Sequence, residues 1–466
     1  MRLKTLKLVL LGTGLLSLAP DAFAEDVSRT SPVWLRDRRY SEGIGIRVGD
    51  FELHPGVGAE VGFDSNWFSR TSSTDTRFVN RDPVPAGVLR VTPSFSISTL
   101  SAARREADGS GAALPTVAIL ANAAATYREF LGEEQVRSQR NLSAIANLRF
   151  DILPGRSVGA GVFGNFERTI QGAIAGIGAA GSSFNRMDFG GGGELVLQPG
   201  GGTLDWRFGY RYAGTRFEDT AGTPFDNDQH TGFTKGRWRF RPRTALLFDA
   251  ELRAFNYRSP STFFALYDSM PIRARLGMNG LISSRFALTL MVGYGGSFND
   301  TTQITQATQF DNVIGQAEFK IFLSANPSAP EEGVPSVSVS SLALGVTRDF
   351  SNSYFGGFYM INRGYANLSF GLGGRFVGGI EAGLGAISYP NVFFAGGQLA
   401  QTGWTDLRLD TQAFGEYRFS NSFGVNTTVR FTSNFSDNTL PAAGGGGVFD
   451  LNWRRFEAYL GARWFM

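Results

Sequence analysis

From Trp404 to Phe431 the residues sort by parity, and few folds can use such a pattern. On the outgoing run the even positions are Trp404, Asp406, Arg408, Asp410, Gln412, Phe414, Glu416 and Arg418. The odd ones are Thr405, Leu407, Leu409, Thr411, Ala413, Gly415, Tyr417 and Phe419. Successive side chains on a strand point to opposite faces, so one face is largely charged and the other apolar or small. Ser420-Asn421-Ser422 turns the chain. On the return, Phe423, Val425, Thr427, Val429 and Phe431 share one face, and Gly424, Asn426, Thr428, Arg430 and Thr432 the other. A strand of about ten residues with this dyad pattern and aromatic ends is the unit of a transmembrane β-barrel. In that register Leu409 meets lipid and Gln412 the interior.

The pattern recurs every twenty to twenty-five residues or so along the chain, a hairpin rhythm. Val57, Ala59, Val61 and Phe63 alternate with Glu60 and Asp64; Val91, Phe95 and Ile97 with Arg90, Thr92 and Ser94. Trp206, Phe208, Tyr210 and Tyr212 alternate with Asp205, Arg207 and Arg211. A soluble sandwich also alternates, but it does not set its largest aromatics at strand ends, where membrane interfaces favour Trp and Tyr. Short connections (Pro154-Gly155, 199–202, 241–243, Ser283-Ser284, Gly373-Gly374, 420–422) alternate with longer ones (170–183, 218–229, 259–270, 299–309). Short turns at one rim and long loops at the other is the outer-membrane layout. The connections at 99–113 and 324–335 break the rule, as excursions on the short-turn side or as a slip of register. The fold expected is all-β, a transmembrane antiparallel β-barrel of about 18 strands. The last strand carries Phe456, Ala458, Leu460, Ala462, Trp464 and Met466 on one face. The preceding Phe449, Leu451 and Trp453 have the other parity, which predicts a bulge near Arg454-Arg455.

Composition narrows the class further. After the first twenty residues no run of about 18 apolar residues offers a helical span. With Cys 0, neither a disulfide framework nor a cysteine metal site is available. Arg2, Lys4 and Lys7, the apolar run Leu8 to Leu18 and Ala22-Phe23-Ala24 read as a signal peptide over residues 1–24. Residues 25–55 then form a periplasmic lead-in and 56–466 the barrel, which places the mature chain in a Gram-negative outer membrane. Without the signal, the formal charge of +3 falls to about +1, so charge calls for no nucleic-acid partner.

Sequence chemistry points away from an enzyme. His54 and His230 are the only histidines, one beside Pro55 and one at a loop edge, and a barrel esterase needs a base beside its serine. Residues 176–181 spell the dinucleotide fingerprint without the strand, helix and acid that give it meaning. Asp226-Asn227-Asp228 matches a Ca²⁺ turn or, more commonly, a solvated acidic one, and Gly444 to Gly447 reads as a flexible loop end. No cofactor and no metal is expected. What stands is the polar face itself. Lys235, Arg237, Arg239, Arg273 and Arg275 face Asp205, Asp249 and Glu251, and Asp406, Arg408, Asp410, Glu416 and Arg418 form a second mixed set. These charges either pair across strands and solvate a lumen, or they form a wet wall that selects a solute. About eighteen strands enclose an aqueous channel unless loops fold in, and no single loop is long enough to be a full plug.

Ile46-Arg47-Val48-Gly49-Asp50-Phe51-Glu52-Leu53-His54-Pro55, followed by Gly62-Phe63-Asp64-Ser65-Asn66-Trp67-Phe68, resembles the opening of outer-membrane proteins of the beta-barrel porin 2 type. The resemblance implies an export conduit that passes a polysaccharide across the outer membrane with a periplasmic partner. The alternative is a passive porin for small solutes. Inward Trp404, Phe414, Tyr365 and Tyr459 offer faces on which sugars could stack.

Overall fold

The computed structural model describes residues 32–36, 45–100, 115–171, 183–219, 223–259, 263–300, 309–323, 340–442 and 446–466. The expected signal peptide and residues 176–181 lie outside them. Eighteen long strands form the wall. The first nine are β1 (Phe51–Asp64), β2 (Ala86–Thr99), β3 (Val117–Gly132), β4 (Asn141–Ile152), β5 (Val158–Thr169), β6 (Arg186–Leu197), β7 (Leu204–Phe217), β8 (Asn227–Arg241) and β9 (Thr244–Tyr257). The rest are β10 (Ser269–Ser283), β11 (Phe286–Asn299), β12 (Phe310–Phe322), β13 (Ser341–Ser353), β14 (Gly356–Leu372), β15 (Phe376–Tyr389), β16 (Trp404–Arg418), β17 (Phe423–Phe435) and β18 (Trp453–Phe465). Each pairs antiparallel with its neighbour in sequence, and β18 closes on β1 from Gly56↔Phe465 to Asp64↔Glu457. The sheet is a closed barrel. Closure leaves no strand edge, which a hydrocarbon environment requires.

The parity read from the sequence is the parity of the wall. Val57, Val61 and Phe63 on β1, Leu276 and Met278 on β10, and Leu460 and Trp464 on β18 are exposed, while Glu60, Asp64, Glu457 and Arg463 between them are buried. In a water-soluble fold, large apolar side chains exposed all round the molecule would be untenable; here they form the lipid face. Aromatics crowd the strand ends, as with Tyr417, Phe419 and Phe423, whose rings lie 4.9 and 5.7 Å apart in succession. The connections alternate as expected. The connections at 99–117 and 322–341 are no slip of register, because the pairing of β2 with β3 and of β13 with β12 holds close to their strand ends on the short-turn rim.

Two expectations are corrected. No bulge occurs at Arg454-Arg455: β17 and β18 pair without interruption from Asn434↔Trp453 to Phe423↔Trp464, with Trp453 facing inward. Phe449 belongs instead to a rim ribbon, Thr439–Pro441 against Val448–Asp450, and Phe449 and Leu451 are buried in the rim, so lipid does not set their parity. The first wall strand also starts at Phe51, inside the expected lead-in. Ile46–Val48 pairs with its first three residues.

Leu409 lies opposite Leu384 on the outer face. Leu409→Arg is expected to lose about 2–4 kcal/mol if it sits near the bilayer midplane. Asn367→Arg, on the inward parity of β14 opposite Glu381, should assemble normally. Heat-modifiable gel mobility after refolding reads the difference. Gln412 is a poor inward control, since it accepts hydrogen bonds from Arg430 at 2.8 and 3.3 Å, so an arginine there would face a like charge.

Candidate functional site

Inward-pointing side chains of a barrel converge and outward ones diverge, so contacts between strands two or three apart identify the lumen face. Arg273 on β10 reaches Asp349 on β13 at 3.0 Å. Arg149 on β4 meets Glu194 on β6 at 2.6 Å, Arg363 on β14 meets Asp410 on β16 at 2.5 Å, and the Tyr365 hydroxyl donates to Glu318 on β12 at 2.7 Å. These chords, with pairs between adjacent strands, make an ionic lining.

The charged residues expected on this face divide into paired and unpaired groups. Arg275 bonds Asp249 at 2.9 Å, and Arg273 bonds Glu251 at 2.6 Å as well as Asp349. Glu416 takes Arg418 at 2.7 Å and a bidentate contact from Arg463 of β18. Asp410 is held by Arg363. Asp406 accepts from Asn434 at 3.3 Å, and the Arg408 guanidinium lies 5.4 Å from the Trp453 ring centre. Lys235, Arg237 and Arg239 differ: among the described residues they make no ion pair within 4 Å. The carboxylates placed opposite them by strand register are engaged elsewhere. Asp205, across from Arg237, bonds Arg207 at 3.0 Å and Gln198 at 3.1 Å; Asp249, across from Lys235, holds Arg275. Arginine forks win these carboxylates because planar, two-pronged donors match carboxylate geometry. A basic strip on β8 is left over, with Lys235 and Arg237 half-buried and Arg239 exposed.

Where β1 meets β18, the pairing is internal. Asp64 is fully buried and accepts two bonds of 3.1 Å from the Arg455 Nε, while Arg455 also reaches Glu457 at 3.5 Å. Sequence spacing could not pair these residues, which lie 391 positions apart. Removing one partner of a buried pair strands the other's charge. Asp64→Asn is therefore expected to cost on the order of 3–5 kcal/mol and to lower the temperature at which the barrel unfolds on gels. Asp75→Asn, in the exposed pair with Arg77 at the rim, should leave that temperature unchanged.

At the long-loop rim the connections meet over the mouth. The Tyr354 ring, in the turn between β13 and β14, lies 6.1 Å from Phe184 before β6 and 4.9 Å from Phe225 before β8. Eight strands separate Tyr354 from Phe184 one way round the barrel and ten the other. Eighteen strands spaced about 4.8 Å span roughly 27 Å even before tilt is allowed for, so these rings bridge the mouth. A backbone bridge accompanies them. Ala265 donates to Phe393 at 2.9 Å and Ala395 to Phe263 at 2.8 Å, tying the loops after β9 and β15. Burial there raises the Tyr267 phenol pKa above its usual value. No single loop is a plug, yet together the loops form a cover that length alone did not predict. Two of the aromatics expected to receive sugars are packed on protein instead: Trp404 stacks on Tyr389 at 4.6 Å within the cover, and Arg90 lies 3.5 Å over the Tyr459 ring. Tyr365 is tied to Glu318, and Phe414 is half-buried on the inner face.

The remaining candidates are also occupied by the protein. Asp228 accepts from Arg216, Arg258 and Tyr212 at 2.5–2.6 Å, and Asp226 from the Phe217 amide at 2.7 Å, which spends that turn's carboxylates on the fold. Of the glycine run 444–447, the described residues are 446 and 447, where Gly447 has φ +148°. His54 sits between Glu52 at 3.1 Å and the Met466 carbonyl at 3.1 Å, and His230 meets the Tyr210 hydroxyl at 2.6 Å on the outer face. Among the described residues no three metal-ligating side chains cluster.

A closed antiparallel wall, greasy outside and ionic inside, defines a transmembrane β-barrel protein with a polar lumen. No protein-family model matches the chain, and no curated protein does. The likeness of residues 46 to 68 to the beta-barrel porin 2 type thus stays a resemblance of that segment. Among solved structures the chain is similar to Acinetobacter baumannii OccAB4, at 10% identity and TM-score 0.42, over 89% of this chain and 98% of that one. It is similar to Pseudomonas aeruginosa OpdQ, at 10% identity and TM-score 0.44, over 90% and 98%. A BenF-like porin from Pseudomonas fluorescens Pf-5 gives 11% identity and TM-score 0.44, over 90% and 99%.

Proposed function

We propose that this protein is an outer-membrane channel through which small solutes diffuse passively, with a preference for anions. The observation that carries this reading is the strip Lys235, Arg237 and Arg239, whose charge no neighbouring carboxylate cancels within ion-pair distance. Much of the rest of the described lining is paired, as Arg275 with Asp249 and Arg363 with Asp410, so it wets the lumen with little charge left over. A solute anion entering such a lumen finds three cations on one strand, spaced two residues apart on one face. They raise its local concentration without binding it tightly enough to block the way. The short-turn rim faces the periplasm in this reading, with the start of β1 and the end of β18 on that side.

Polysaccharide export, which the resemblance of residues 46 to 68 implies, draws less support. It calls for aromatic platforms along the route, and Trp404 and Tyr459 are committed to protein neighbours. It also calls for a mouth wide enough for a polymer, and the Phe184–Tyr354 bridge crosses that mouth. Nothing in the described wall singles out a periplasmic partner.

Neutralising Arg237 and Arg239 together to Gln is expected to shift the reversal potential in planar bilayers toward cations. The shift should shrink as salt rises, because screening acts within about 10 Å at 0.1 M. The double change Arg275→Gln with Asp249→Asn removes a pair of zero net charge and should leave the reversal potential where it was. Equal shifts in the two variants, or none in the first, would rule out the strip as the selective element.

A further inference from the structure

The wall closes on itself, but its hydrogen-bond ladder stops short at the β12–β13 junction. These strands pair from Phe322↔Ser341 as far as Gly315↔Arg348. Beyond that point residues 310–314 stay on β11, and residues 349–353 stay on β14. Side chains serve the backbone along this split. The Val313 amide donates to the Asn312 Oδ1 at 2.8 Å, and the Val313 carbonyl accepts from the Arg348 Nε at 3.0 Å. On the facing strand the Phe350 amide donates to the Asp349 Oδ1 at 2.8 Å, and the Phe350 carbonyl accepts from Arg273. Bare strand edges are not tolerated beside hydrocarbon, so four side chains stand in for the missing ladder.

Parity shows how the two lips lie. On β11 and β12, Gly295, Phe310 and Ile314 share the inward parity of Ser297, while Tyr294 and Val313 are exposed on the outer face. On β13 and β14, Phe350, Asn352 and Phe358 carry the outward parity of Leu344 and Val346. These outward residues nevertheless touch the inward face across the split. Phe350 stacks on Phe310 at 4.2 Å, Phe358 lies 5.2 Å from Phe310, and Asn352 donates to Ser269 of β10 at 2.8 Å. Gly295 makes the room: a Cβ there would come within 2.7 Å of the Phe350 ring and 2.8 Å of Ile314. The end of the β13–β14 hairpin therefore tucks inside β11 and β12, and the wall overlaps itself.

Parting the lips would break no strand-to-strand backbone bond; it would cost two arginine bonds and the contacts of the rings. Lipid lies outside. Tyr294, opposite Val313, and Phe298 and Met270 farther along are exposed on the outer face, so the apolar band continues past the split. Arg348 has outward parity there and makes no ion pair among the described residues, its remaining bond going to the Asn362 side chain at 3.3 Å. An apolar joint with one uncompensated cation at its outer lip suits an anion that carries a hydrocarbon tail.

We propose that the split between β12 and β13 is a side port, through which a small anion with a hydrocarbon tail passes between the lumen and the outer leaflet. The tail slides between the Phe310 and Phe350 rings, and Arg348 receives the head. The inference goes beyond diffusion along the lumen, and it holds whether or not the β8 strip selects anions.

The chain has no cysteine, so Phe310→Cys with Phe350→Cys gives one thiol on each lip. A short bifunctional thiol reagent that a reductant cleaves then closes and frees the same molecule. In proteoliposomes, closure should slow octanesulfonate efflux roughly five-fold, and reductant should restore it. Ethanesulfonate, the same head without the tail, should leave equally fast in both states. Arg348→Gln keeps a donor for the Val313 carbonyl but removes the charge, and it should slow octanesulfonate without slowing ethanesulfonate. Heat-modifiable mobility checks that each variant is a barrel. If the double-cysteine protein does not assemble, Phe358→Ala decides: it loosens the joint and should speed octanesulfonate alone. Octanesulfonate efflux that ignores closure, or ignores Phe358→Ala, overturns the proposal, the split being then a packed joint. Equal slowing of both sulfonates overturns it too, because closure would then be narrowing the lumen.

Discussion

Everything in this structure follows from the requirement that no backbone amide be left unbonded in hydrocarbon. An open sheet cannot meet it, so the seam between β1 and β18 is the contact on which the other strands depend. The chain treats that seam with care. β1 extends beyond the end of β18, and there the Met466 amide donates to the Pro55 carbonyl at 3.0 Å. Farther along, Ile46–Val48 takes over as the partner of Phe51–Leu53, so the projecting edge is covered too. Inside the seam, Asp64 and Arg455 join the two strands by side chains as well. Once every amide is satisfied within the wall, side chains need only obey parity, and the dyad pattern is the result.

Parity in turn creates an electrostatic problem. All the charge that would coat a soluble protein is turned inward, onto a concave face where side chains crowd. Single charges half-withdrawn from water are costly there, and pairs relieve most of that cost without adding much net stability. The lining consequently resembles a mesh of arginine forks on carboxylates, in which Glu194 serves Arg149 and Arg207, and Glu251 serves Arg253 and Arg273. Arginine dominates because it reaches two carboxylates at once. On β8 three cations in a row on one face, Lys235, Arg237 and Arg239, make no ion pair within 4 Å among the described residues, and the proposed selectivity is placed there.

The wall was legible from sequence because its signal has a period of two and is repeated on strand after strand. Leu407, Leu409 and Tyr417 outward and Asp410, Glu416 and Arg418 inward needed no partner to be known. What sequence could not supply was anything that depends on curvature. The chord from Arg273 to Asp349 exists only because three strands bend toward each other. Arg273 and Arg275 could be set on one face with Asp249 and Glu251, but which cation each carboxylate holds became visible only with register. Aromatics misled in another way. Trp404 and Tyr459 read as platforms for sugars, yet both pack on protein, and Phe184, Phe225 and Tyr354 pack on one another across the mouth. Phe449 and Leu451 mimicked a strand of the wrong parity because they are buried by loops rather than by lipid. Trp34 belongs to no periodic segment, and nothing in the sequence announced its packing on Gly58 and Phe465.

The two ends of the lumen are therefore built on different principles. Over the long-loop mouth, rings from opposite sides of the barrel interlock and the loops share backbone bonds, as between Val79 and Val448 at 3.0 Å and between Ala265 and Phe393. Thr71 and Asn80 donate to Asp450 at 2.6 and 2.7 Å, and the Asp450 amide donates back to the Asn80 side chain at 3.0 Å, which fixes the first loop to the last. Many independent contacts would have to break together for this cover to open. At the short-turn end, by contrast, a single indole, Trp34, is seated on Gly58 beside Phe465. If solutes diffuse through the lumen as proposed, the cover is the fixed part of their path, and substitutions in it should alter which of them pass.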